Sequence, residues 1–367
     1  MRLGPSTRRL SQNAPPRIGA ILTASLVLTA TACSKRHGTT AWHTPDAPPP
    51  AASAPARPAP PARPAPPAPP SASAHSGAVA ATAAAPPAAT GLAGDGLRFI
   101  AYNVENWLTM DRYDGRKLLK GAPKPAAQKQ AVIAILTHNT PDVIGLCEIG
   151  EVQDLAEIQQ ALKAAGLDLA YSQFTGGSDP VRHIGLLSRY PLTAPAQPAA
   201  TQYQMNGQSF AINRGILDAS LQSHGKSYRF LGVHLKSKRE IEDADQEQMR
   251  VHEARLLRRQ VDAILQTDAQ ARLIVYGDFN DTRPSPTFKI VTGNYRDAGY
   301  LTAIPAKDSR GEAWTHYWAP HDIYSRFDFI AVTRALKPEV DFRASRIIDE
   351  PAWNDASDHR ALLAIFK

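Results

Sequence analysis

Short apolar runs alternate with segments of helical periodicity along residues 97–367, and this alternation predicts an α/β fold. Helices are predicted where apolar residues recur three or four positions apart, over residues 126–139, 151–165 and 243–267. Strands are predicted over residues 97–103, 142–149, 169–174, 184–188, 210–213, 215–221, 228–234, 273–280, 327–332 and 360–366. Residues 281–315 are predicted to be rich in loops.

Residues 273–280 read Leu-Ile-Val-Tyr-Gly-Asp-Phe-Asn, an apolar run that ends in polar residues. Four consecutive apolar residues predict a strand that is covered on both faces. Asp278 and Asn280 follow at a spacing of two, and alternate side chains of extended backbone lie on the same side, so both can meet one ligand. The alternative is a polar turn after a core strand, because Asp and Asn are common turn residues.

Polar side chains recur at the ends of the other predicted strands. Glu148 interrupts an apolar run, and an ionised carboxylate in apolar surroundings is costly unless it is paired or bound to a metal. The alternative is that Glu148 reaches solvent where its strand ends. The full set is Asn103, Glu148, His234, Asp278, Asn280, Asp328, Asp358 and His359. The segments between them fold back, so we expect these side chains to converge at one edge of the fold.

The donor types of this set indicate a hard cation. Carboxylates and carboxamides without thiolates suit Mg²⁺, or Mn²⁺, rather than structural zinc. Two histidines beside carboxylates can transfer protons or stabilise phosphoryl charge, which phosphate ester hydrolysis requires. Arg182 follows a loop containing glycines and can contact a phosphate oxygen; the alternative is a solvated surface arginine. The sequence contains neither a P-loop nor a dinucleotide-binding glycine motif.

Charge and cysteine content separate the N-terminal quarter of the chain from the rest. The 367-residue sequence has 41 Lys and Arg against 34 acidic residues; residues 1–94 hold eight and one of these, which leaves 33 of each from Asp95 onward. The folded part is therefore neutral and gives no global electrostatic argument for a nucleic-acid partner. Cys33 and Cys147 are the only cysteines, so no disulfide framework is indicated, and Cys147 is expected to be a buried free thiol.

Residues 1–32 have the pattern of an export signal. Basic residues precede an apolar run of 14 residues, 18–31, which is shorter than the roughly 20 residues of a transmembrane helix. The small residues before Cys33 resemble a bacterial lipoprotein signal, although Ala30 stands where leucine is usual. This resemblance implies lipidation at Cys33, a membrane anchor and, with Ser34 next, the outer membrane. Simple secretion is the alternative.

Residues 33–94 are predicted to form a Pro/Ala-rich linker and residues 95–367 a single catalytic domain. From Trp42 to Gly94 there are 15 prolines in 53 residues and few large apolar side chains, so this stretch cannot build a core. Proline favours extended conformations, which would make it a semi-rigid spacer; the alternative is an inert tail.

In their order, these motifs resemble the endonuclease/exonuclease/phosphatase superfamily, which includes pancreatic deoxyribonuclease, abasic-site endonucleases, inositol polyphosphate phosphatases and neutral sphingomyelinases. The resemblance covers about residues 97–367 and implies a four-layer α/β/β/α sandwich, with two mixed sheets face to face and the active site at one rim. Its motifs are Asn103 after the first strand, Leu-Cys-Glu at 146–148, Leu-Ser-Arg-Tyr-Pro at 187–191, His-Leu-Lys-Ser at 234–237, Gly-Asp-Phe-Asn at 277–280, Phe-Asp-Phe-Ile at 327–330 and Ser-Asp-His-Arg at 357–360.

The resemblance also implies roles for the acids and amides. Glu148 is expected to be the principal metal ligand, with Asn103 and Asp358 completing or adjoining the metal site. Asp278 would activate the attacking water, and Asn280 would orient that water or a phosphate oxygen.

For the histidines, the resemblance implies that His359 contacts the scissile phosphate, that Asp328 holds its imidazole in the charged form, and that His234 also contacts phosphate. Two positions depart from the family pattern. Cys147 stands where glutamine is usual, and Arg182 occupies the place of a glutamate that pairs with the equivalent of His234 in the pancreatic nuclease branch. The second departure argues against that branch's specific mechanism.

Together these features predict an exported, monomeric, metal-dependent phosphodiesterase, with an endonuclease or exonuclease acting on nucleic acid as the first hypothesis. The alternative enzyme is a phosphatase or a sphingomyelinase-like phospholipid phosphodiesterase, which the neutral domain and the expected membrane anchor favour. A non-catalytic surface-binding module is the remaining alternative.

Overall fold

The computed structural model describes residues 96–113, 116–196, 199–239 and 245–367. The expected export signal, Cys33 and the Pro/Ala-rich linker lie outside the described residues, so their predictions remain untested. Within the described ranges, the helices include none with the length and apolar character needed to cross a membrane.

The described residues form an α/β fold. Its strands are β1 Leu97–Trp107, β2 Met110–Tyr113, β3 Leu118–Ala122, β4 Val143–Ile149, β5 Tyr171–Thr175, β6 His183–Ser188, β7 Gln202–Met205, β8 Gln208–Ala211, β9 Ile216–Ser223, β10 Lys226–His234, β11 Leu273–Asp278, β12 Thr302–Ala303, β13 His316–Trp318, β14 Ile323–Ser325, β15 Asp328–Val332, β16 Arg346–Ile347 and β17 Leu362–Phe366. Its α-helices are α1 Ala126–His138, α2 Val152–Ala164, α3 Gln246–Thr267, α4 Pro286–Thr292 and α5 Trp353–Ala356, with short 3-10 helices at Ala319–His321 and Lys337–Glu339.

Two large mixed sheets organise these elements, as the sequence predicts. One has six strands in the order β16-β17-β1-β4-β6-β5, and the other has five in the order β12-β15-β11-β10-β9. Each sheet contains one parallel pair, β1 with β4 and β10 with β11, among antiparallel neighbours. Three small hairpins, β2-β3, β7-β8 and β13-β14, project from this framework.

Three hydrophobic clusters lie between these layers. One joins residues of both sheets, and in it the Phe99 ring contacts Phe230 and Tyr276 at centroid distances of 5.1 and 4.9 Å. A Cβ at Gly145 would come within 2.0 Å of the Tyr276 ring, so glycine is needed for this close packing of the sheets. The second cluster packs α3 and α4 on the five-stranded sheet, and the third packs α1, α2 and α5 on the six-stranded sheet. This layering agrees with the sandwich that the resemblance implies.

Most predicted elements are confirmed, and the differences have local causes. The prediction of loops over residues 281–315 misses α4, although the helix starts in a recognisable way: the Ser285 side chain accepts from the Phe288 N–H and Pro286 occupies the first turn. The hairpin β13-β14 is also missed, because its strands have three residues each and leave large side chains exposed. β1 continues to Trp107, through Glu105 and Asn106 at positive φ.

Candidate active site

Strand register brings three predicted site residues into one row of the five-stranded sheet. His234 of β10 pairs with Asp278 of β11, and Asp278 pairs with Asp328 of β15. Gly277, just before Asp278, has φ of +127°, and a Cβ there would lie 1.9 Å from the carbonyl oxygen of Val233. This glycine therefore permits the close backbone approach that holds Asp278 beside His234.

The six-stranded sheet contributes Asn103 and Glu148 to the same place. Glu148 has a φ of 64°, in the left-handed region, at a register shift near the end of β4. The Asn103 side-chain amide donates to Glu148 Oε1 at 3.2 Å and to Asp278 Oδ2 at 3.1 Å. The backbone N–H of Asn106 donates to Glu148 Oε2 at 2.9 Å. The carboxylate of Glu148 is thus partnered, and Asn103 links the two sheets.

His359 is held as a cation by its neighbours. Its Nδ1 lies 2.8 Å from Asp328 Oδ2, and its Nε2 lies 3.8 Å from Asp278 Oδ2. Burial opposes the charged imidazole, but the carboxylate of Asp328 raises the pKa of His359 well above its usual value. The Ser357 hydroxyl fixes this segment, because it donates to the Asn103 carbonyl at 2.8 Å and accepts from the His359 N–H at 3.0 Å.

Asp278 lies at the centre of the cluster and is 1% exposed. Burial raises the pKa of its carboxyl group, against the lowering effect of the His359 cation. The Asn280 backbone N–H donates to Asp278 Oδ1 at 2.7 Å, and the Asn280 side chain donates to Asp278 Oδ2 at 3.3 Å and to the Leu235 carbonyl at 2.9 Å. Asn280 therefore orients Asp278, with its own backbone at a φ of 50°.

His234 differs from His359 in its charge. Its Nε2 lies 3.5 Å from Asp278 Oδ2 and 3.9 Å from Glu148 Oε1. Burial, followed by the positive charge of Arg214, lowers the pKa of His234 well below its usual value, so this imidazole is neutral at neutral pH. Its Nδ1 has no hydrogen-bond partner among the described residues.

Arg182 lies inside the cluster rather than on a solvated surface. Its Nε donates to Asn106 Oδ1 at 2.8 Å and lies 3.9 Å from Glu148 Oε2, with 25% of the side chain exposed. The positive charge of Arg182 also helps to lower the pKa of His234.

Asp358 lies beside the imidazoles of His316 and His359. Its Oδ2 is 3.8 Å from His316 Nε2 and its Oδ1 is 3.9 Å from His359 Nε2, and 42% of its side chain is exposed. The structure thus brings Asn103 and Glu148 into direct contact and places Asp358 against His316 and His359.

The donor set fits a hard divalent cation. The carboxylates of Asp278, Asp328 and Asp358 surround a single charged imidazole, His359. Glu148 adjoins Asp278 through Asn103, so negative charge is in excess there and a cation can balance it. Two compact groups of donor atoms occur within the described ranges, one formed by Asp278, Asp328 and His359 and the other by His316, Asp358 and His359. The Cys147 thiol is excluded as a ligand, because burial raises its pKa and its Sγ donates to the Val233 carbonyl.

Three residues of the site are absent from the sequence prediction. Asn106 contacts both Glu148 and Arg182, His316 contacts Asp358, and the 1% exposed Lys124 donates from Nζ to the Glu105 carbonyl at 3.0 Å. The need of Glu148 for a partner pointed to such a residue without identifying it. The sequence pattern could not identify Lys124 as a site residue, because lysine is expected to be exposed. It could not identify His316 either, because His316 belongs to the β13-β14 hairpin, which the pattern did not predict.

Comparisons with solved structures agree with the fold. The human Nocturnin catalytic domain superposes with a TM-score of 0.53 at 16% identity, covering 74% of this chain and 94% of that chain. A truncated Caenorhabditis elegans TDP2 superposes with a TM-score of 0.51 at 18% identity, covering 74% of this chain and 97% of that chain. Beta toxin 275-280 from Staphylococcus aureus superposes with a TM-score of 0.51 at 14% identity, covering 74% of this chain and 100% of that chain. At these identities the likeness shows the fold. No curated protein matches the sequence.

A match at the level of sequence covers much of the domain. Residues 99–297 match the sequence model of the Endonuclease/Exonuclease/phosphatase family, and this range spans more than half of the chain. It contains Asn103, Glu148, His234 and the pair Asp278 and Asn280. The protein therefore belongs to the endonuclease/exonuclease/phosphatase family, whose members are typically divalent-metal-dependent phosphoesterases.

Proposed function

We propose that the protein is a metal-dependent phosphodiesterase that hydrolyses nucleic acid as an endonuclease or exonuclease. The observation that carries this proposal is the contact of Asn103 with both Glu148 and Asp278, beside the ion pair of His359 with Asp328. It joins a metal-binding carboxylate, a buried carboxylate base and a charged imidazole donor at one point. These are the groups that phosphodiester hydrolysis needs.

Mg²⁺, or Mn²⁺ in its place, would be held by Glu148 as principal ligand, with Asn103 and Asp358 completing or adjoining its coordination. When bound, the cation supplies Lewis acidity and neutralises phosphate charge. Its three proposed ligands come from β1, β4 and the segment before β17, so the fold of the six-stranded sheet sets their relative positions.

Asp278 acts as the base for the attacking water in this proposal. A water proton passes to its carboxylate while the water oxygen bonds to phosphorus, the phosphorus–oxygen bond to the leaving group breaks, and the leaving oxygen takes up a proton. Asn280 keeps Asp278 oriented through its two hydrogen bonds. The raised pKa of Asp278 makes it a stronger base than an exposed aspartate once it is ionised.

The two imidazoles contact the phosphate in different charge states. His359, kept positive by Asp328, donates to a phosphate oxygen and stabilises the charge that develops there. His234, which is neutral, donates a hydrogen bond without charge. Arg182 adds a cation beside it and can contact an exposed phosphate group.

Exposed aromatic side chains beside the site favour a single-stranded nucleic acid. The β13-β14 hairpin leaves Trp318 and Tyr324 exposed, and Tyr317 stacks on Tyr324 with ring centroids 4.5 Å apart. The hairpin adjoins the site, because the Tyr317 N–H donates to the Asp358 carbonyl at 2.9 Å. Base stacking on aromatic rings contributes about 1–3 kcal/mol per base.

The second candidate is a phosphatase or phospholipid phosphodiesterase. The same hairpin favours it, since Ile323, Tyr324 and Trp318 also form an exposed apolar edge, and a lipid anchor at Cys33 would place the domain at a membrane. Within the hairpin, Asp322 adds a charge that disfavours insertion into lipid, so we rank the nuclease first.

A substrate panel separates these functions. The full chain is incubated with single- and double-stranded DNA, RNA, sphingomyelin, a phosphomonoester and a bis-aryl phosphodiester, with and without Mg²⁺. Metal-dependent cleavage of DNA or RNA supports the nuclease, and turnover of sphingomyelin or the monoester alone supports the second candidate. If none of the substrates is turned over with Mg²⁺ or Mn²⁺, both enzyme proposals fail and a non-catalytic binding module is the remaining function.

We also propose that the chain has three parts: a lipoprotein-type export signal over residues 1–32, a linker over residues 33–94 and a monomeric catalytic domain over residues 95–367. Export would place the domain in the bacterial cell envelope, on the outer membrane, or free if Cys33 is not lipidated. Mass spectrometry of the mature N-terminus tests this. A lipid-modified Cys33 is the expected result, and an unmodified N-terminal residue other than Cys33 contradicts it.

A further inference from the structure

Three cationic side chains lie near His234 and lower its pKa. Arg214 precedes β9, Arg182 ends the loop after β5, and Lys236 follows β10. Asp179 connects the first two segments, since its Oδ2 lies 3.1 Å from Arg214 Nε and its Oδ1 accepts from the Arg182 N–H at 3.3 Å. Glu253 connects the segments of Arg214 and Lys236, because it accepts from the N–H groups of Asn213 and Lys236.

Arg214 is buried without adequate partners. It is 6% exposed, and its Nε and Nη1 have no hydrogen-bond partner among the described residues, although Asp179 Oδ2 lies 3.1 Å from Nε in an ion pair without hydrogen-bond geometry. A buried donor left unsatisfied destabilises the folded state. The guanidinium of Arg214 thus offers donors that no acceptor among the described residues satisfies.

The neighbouring acids are already engaged by backbone amides. Asp179 Oδ1 accepts from the N–H groups of Val181 and Arg182 at 2.9 and 3.3 Å. Glu253 Oε1 accepts from the Asn213 N–H at 2.8 Å, and its Oε2 accepts from the Lys236 N–H at 2.6 Å. These carboxylates balance part of the positive charge while fixing the loops that carry it.

This arrangement suits a phosphate. A guanidinium binds phosphate oxygens through two parallel N–H donors, and burial strengthens such a bond. Asp179 joins Arg214 to the segment that carries Arg182. Arg182 Nε in turn lies 3.9 Å from Glu148 Oε2, so Arg214 adjoins the catalytic centre. A phosphate bound at Arg214 would therefore lie beside the phosphodiester being cut rather than replace it.

We propose that Arg214, with Arg182 and Lys236, binds a second phosphate of the substrate, adjacent to the scissile one. The inference rests on the proposed nuclease function and deepens it: the preferred substrate is an oligonucleotide with a phosphate one nucleotide from the cut. An internal phosphodiester and a terminal phosphomonoester share this chemistry. Substrates with a single phosphodiester leave the subsite empty.

Binding of nucleotides to the full chain tests the subsite independently of turnover. Isothermal titration calorimetry with Mg²⁺ compares thymidine 3′,5′-bisphosphate with thymidine 5′-monophosphate. Since a hydrogen bond to a charged group contributes about 1.5–3 kcal/mol, the bisphosphate is expected to bind about tenfold more tightly or better. In Arg214→Gln, this ratio is expected to fall to about twofold or less. The control Arg296→Gln removes an exposed cation beside α4 and should keep the ratio.

Two results would overturn the subsite: equal Kd values for the two nucleotides in the unmodified protein, or an unchanged ratio in folded Arg214→Gln. If Arg214→Gln fails to fold, Arg182→Gln is measured instead, because the Arg182 side chain is partly exposed and its replacement is better tolerated. This variant should also lower the ratio of the two Kd values. Comparing the turnover of pTpT, TpTp and TpT shows whether a terminal phosphate at the 5′ end or at the 3′ end occupies the subsite. If none is cleaved while the bisphosphate preference persists, the nuclease proposal fails and the anion subsite stands.

Discussion

At the scale of single residues, the two imidazoles that flank Asp278 have opposite charge states for physical reasons. His359 keeps its proton because the carboxylate of Asp328, 2.8 Å away, stabilises the imidazolium, whereas His234 is buried near the cations Arg182 and Arg214. A buried imidazole carries charge only where a partner outweighs the desolvation penalty. The resemblance implied the charged form of His359, but nothing in the sequence predicted the neutral form of His234, which depends on neighbours far apart in the chain.

Removing either group that acts on the reacting atoms should abolish most turnover. Asp278→Asn removes the base with little change in volume, and His359→Ala removes the charged donor. Each is expected to lower kcat by about 10²–10⁴. Steady-state kinetics on the substrate that the panel identifies gives the rate, and thermal unfolding checks that each variant is folded.

The control for these two variants is Asp297→Asn, which removes an exposed carboxylate between α4 and β12. It should match the unmodified protein in kcat. Retention of full activity by Asp278→Asn or by His359→Ala would show that the roles given to these residues are incorrect.

At the scale of elements, buried strands were predictable and short exposed ones were not. β4 and β11 are continuous apolar runs, so patterning located them together with Glu148 and Asp278 at their ends. The β13-β14 hairpin gives no such signal, and with it the contact of His316 with Asp358 was missed. The pattern of apolar and polar residues predicts a strand when its apolar side chains are buried and its polar ones exposed. A hairpin that exposes its aromatic residues does not show that pattern.

One element-scale contact should make stability depend on pH. Glu253 ties α3 to the residues before β9 and after β10, and burial raises its pKa to about 7 from an ordinary value of 4.5. The folded state therefore binds this proton more tightly than the unfolded state does. Its contribution to the free energy of unfolding is fully present below about pH 4.5 and is lost as pH rises through about 7, up to about 3 kcal/mol.

Thermal unfolding of the unmodified protein and Glu253→Gln at pH 5 and pH 8 measures this contribution. The glutamine variant lacks the titrating group, so its Tm should fall less between the two pH values. Glu247→Gln, on the exposed face of α3, should behave as the unmodified protein does. Identical pH dependence in all three proteins would show that Glu253 titrates alike in the folded and unfolded states.

At the scale of the whole molecule, the site is a junction between the two sheets. Asn103 and Glu148 belong to the six-stranded sheet, whereas His234, Asp278 and Asp328 belong to the five-stranded sheet. The order of motifs along the sequence identified these residues as one set. It did not give the contacts across the sheets, such as Asn103 with Asp278, because these follow from how the sheets pack.

A divalent cation bound at this junction should stabilise the whole domain. Carboxylates from both sheets meet there, and their mutual repulsion opposes folding until a cation balances it. A ligand that binds only the folded state stabilises it by about 2.7 kcal/mol at one hundred times its Kd. Mg²⁺ added to the metal-free protein should therefore raise Tm in a concentration-dependent manner, and Mn²⁺ should do the same.

Glu148→Gln makes this prediction specific, since it removes the proposed principal ligand while keeping an acceptor for the Asn103 and Asn106 donors. Its Tm should respond much less to Mg²⁺ than that of the unmodified protein, and its metal-free Tm should be equal or higher, because one of the crowded charges is gone. Glu151→Gln, an exposed residue at the start of α2, should respond to Mg²⁺ as the unmodified protein does. An equal Mg²⁺ response in Glu148→Gln would place the cation elsewhere.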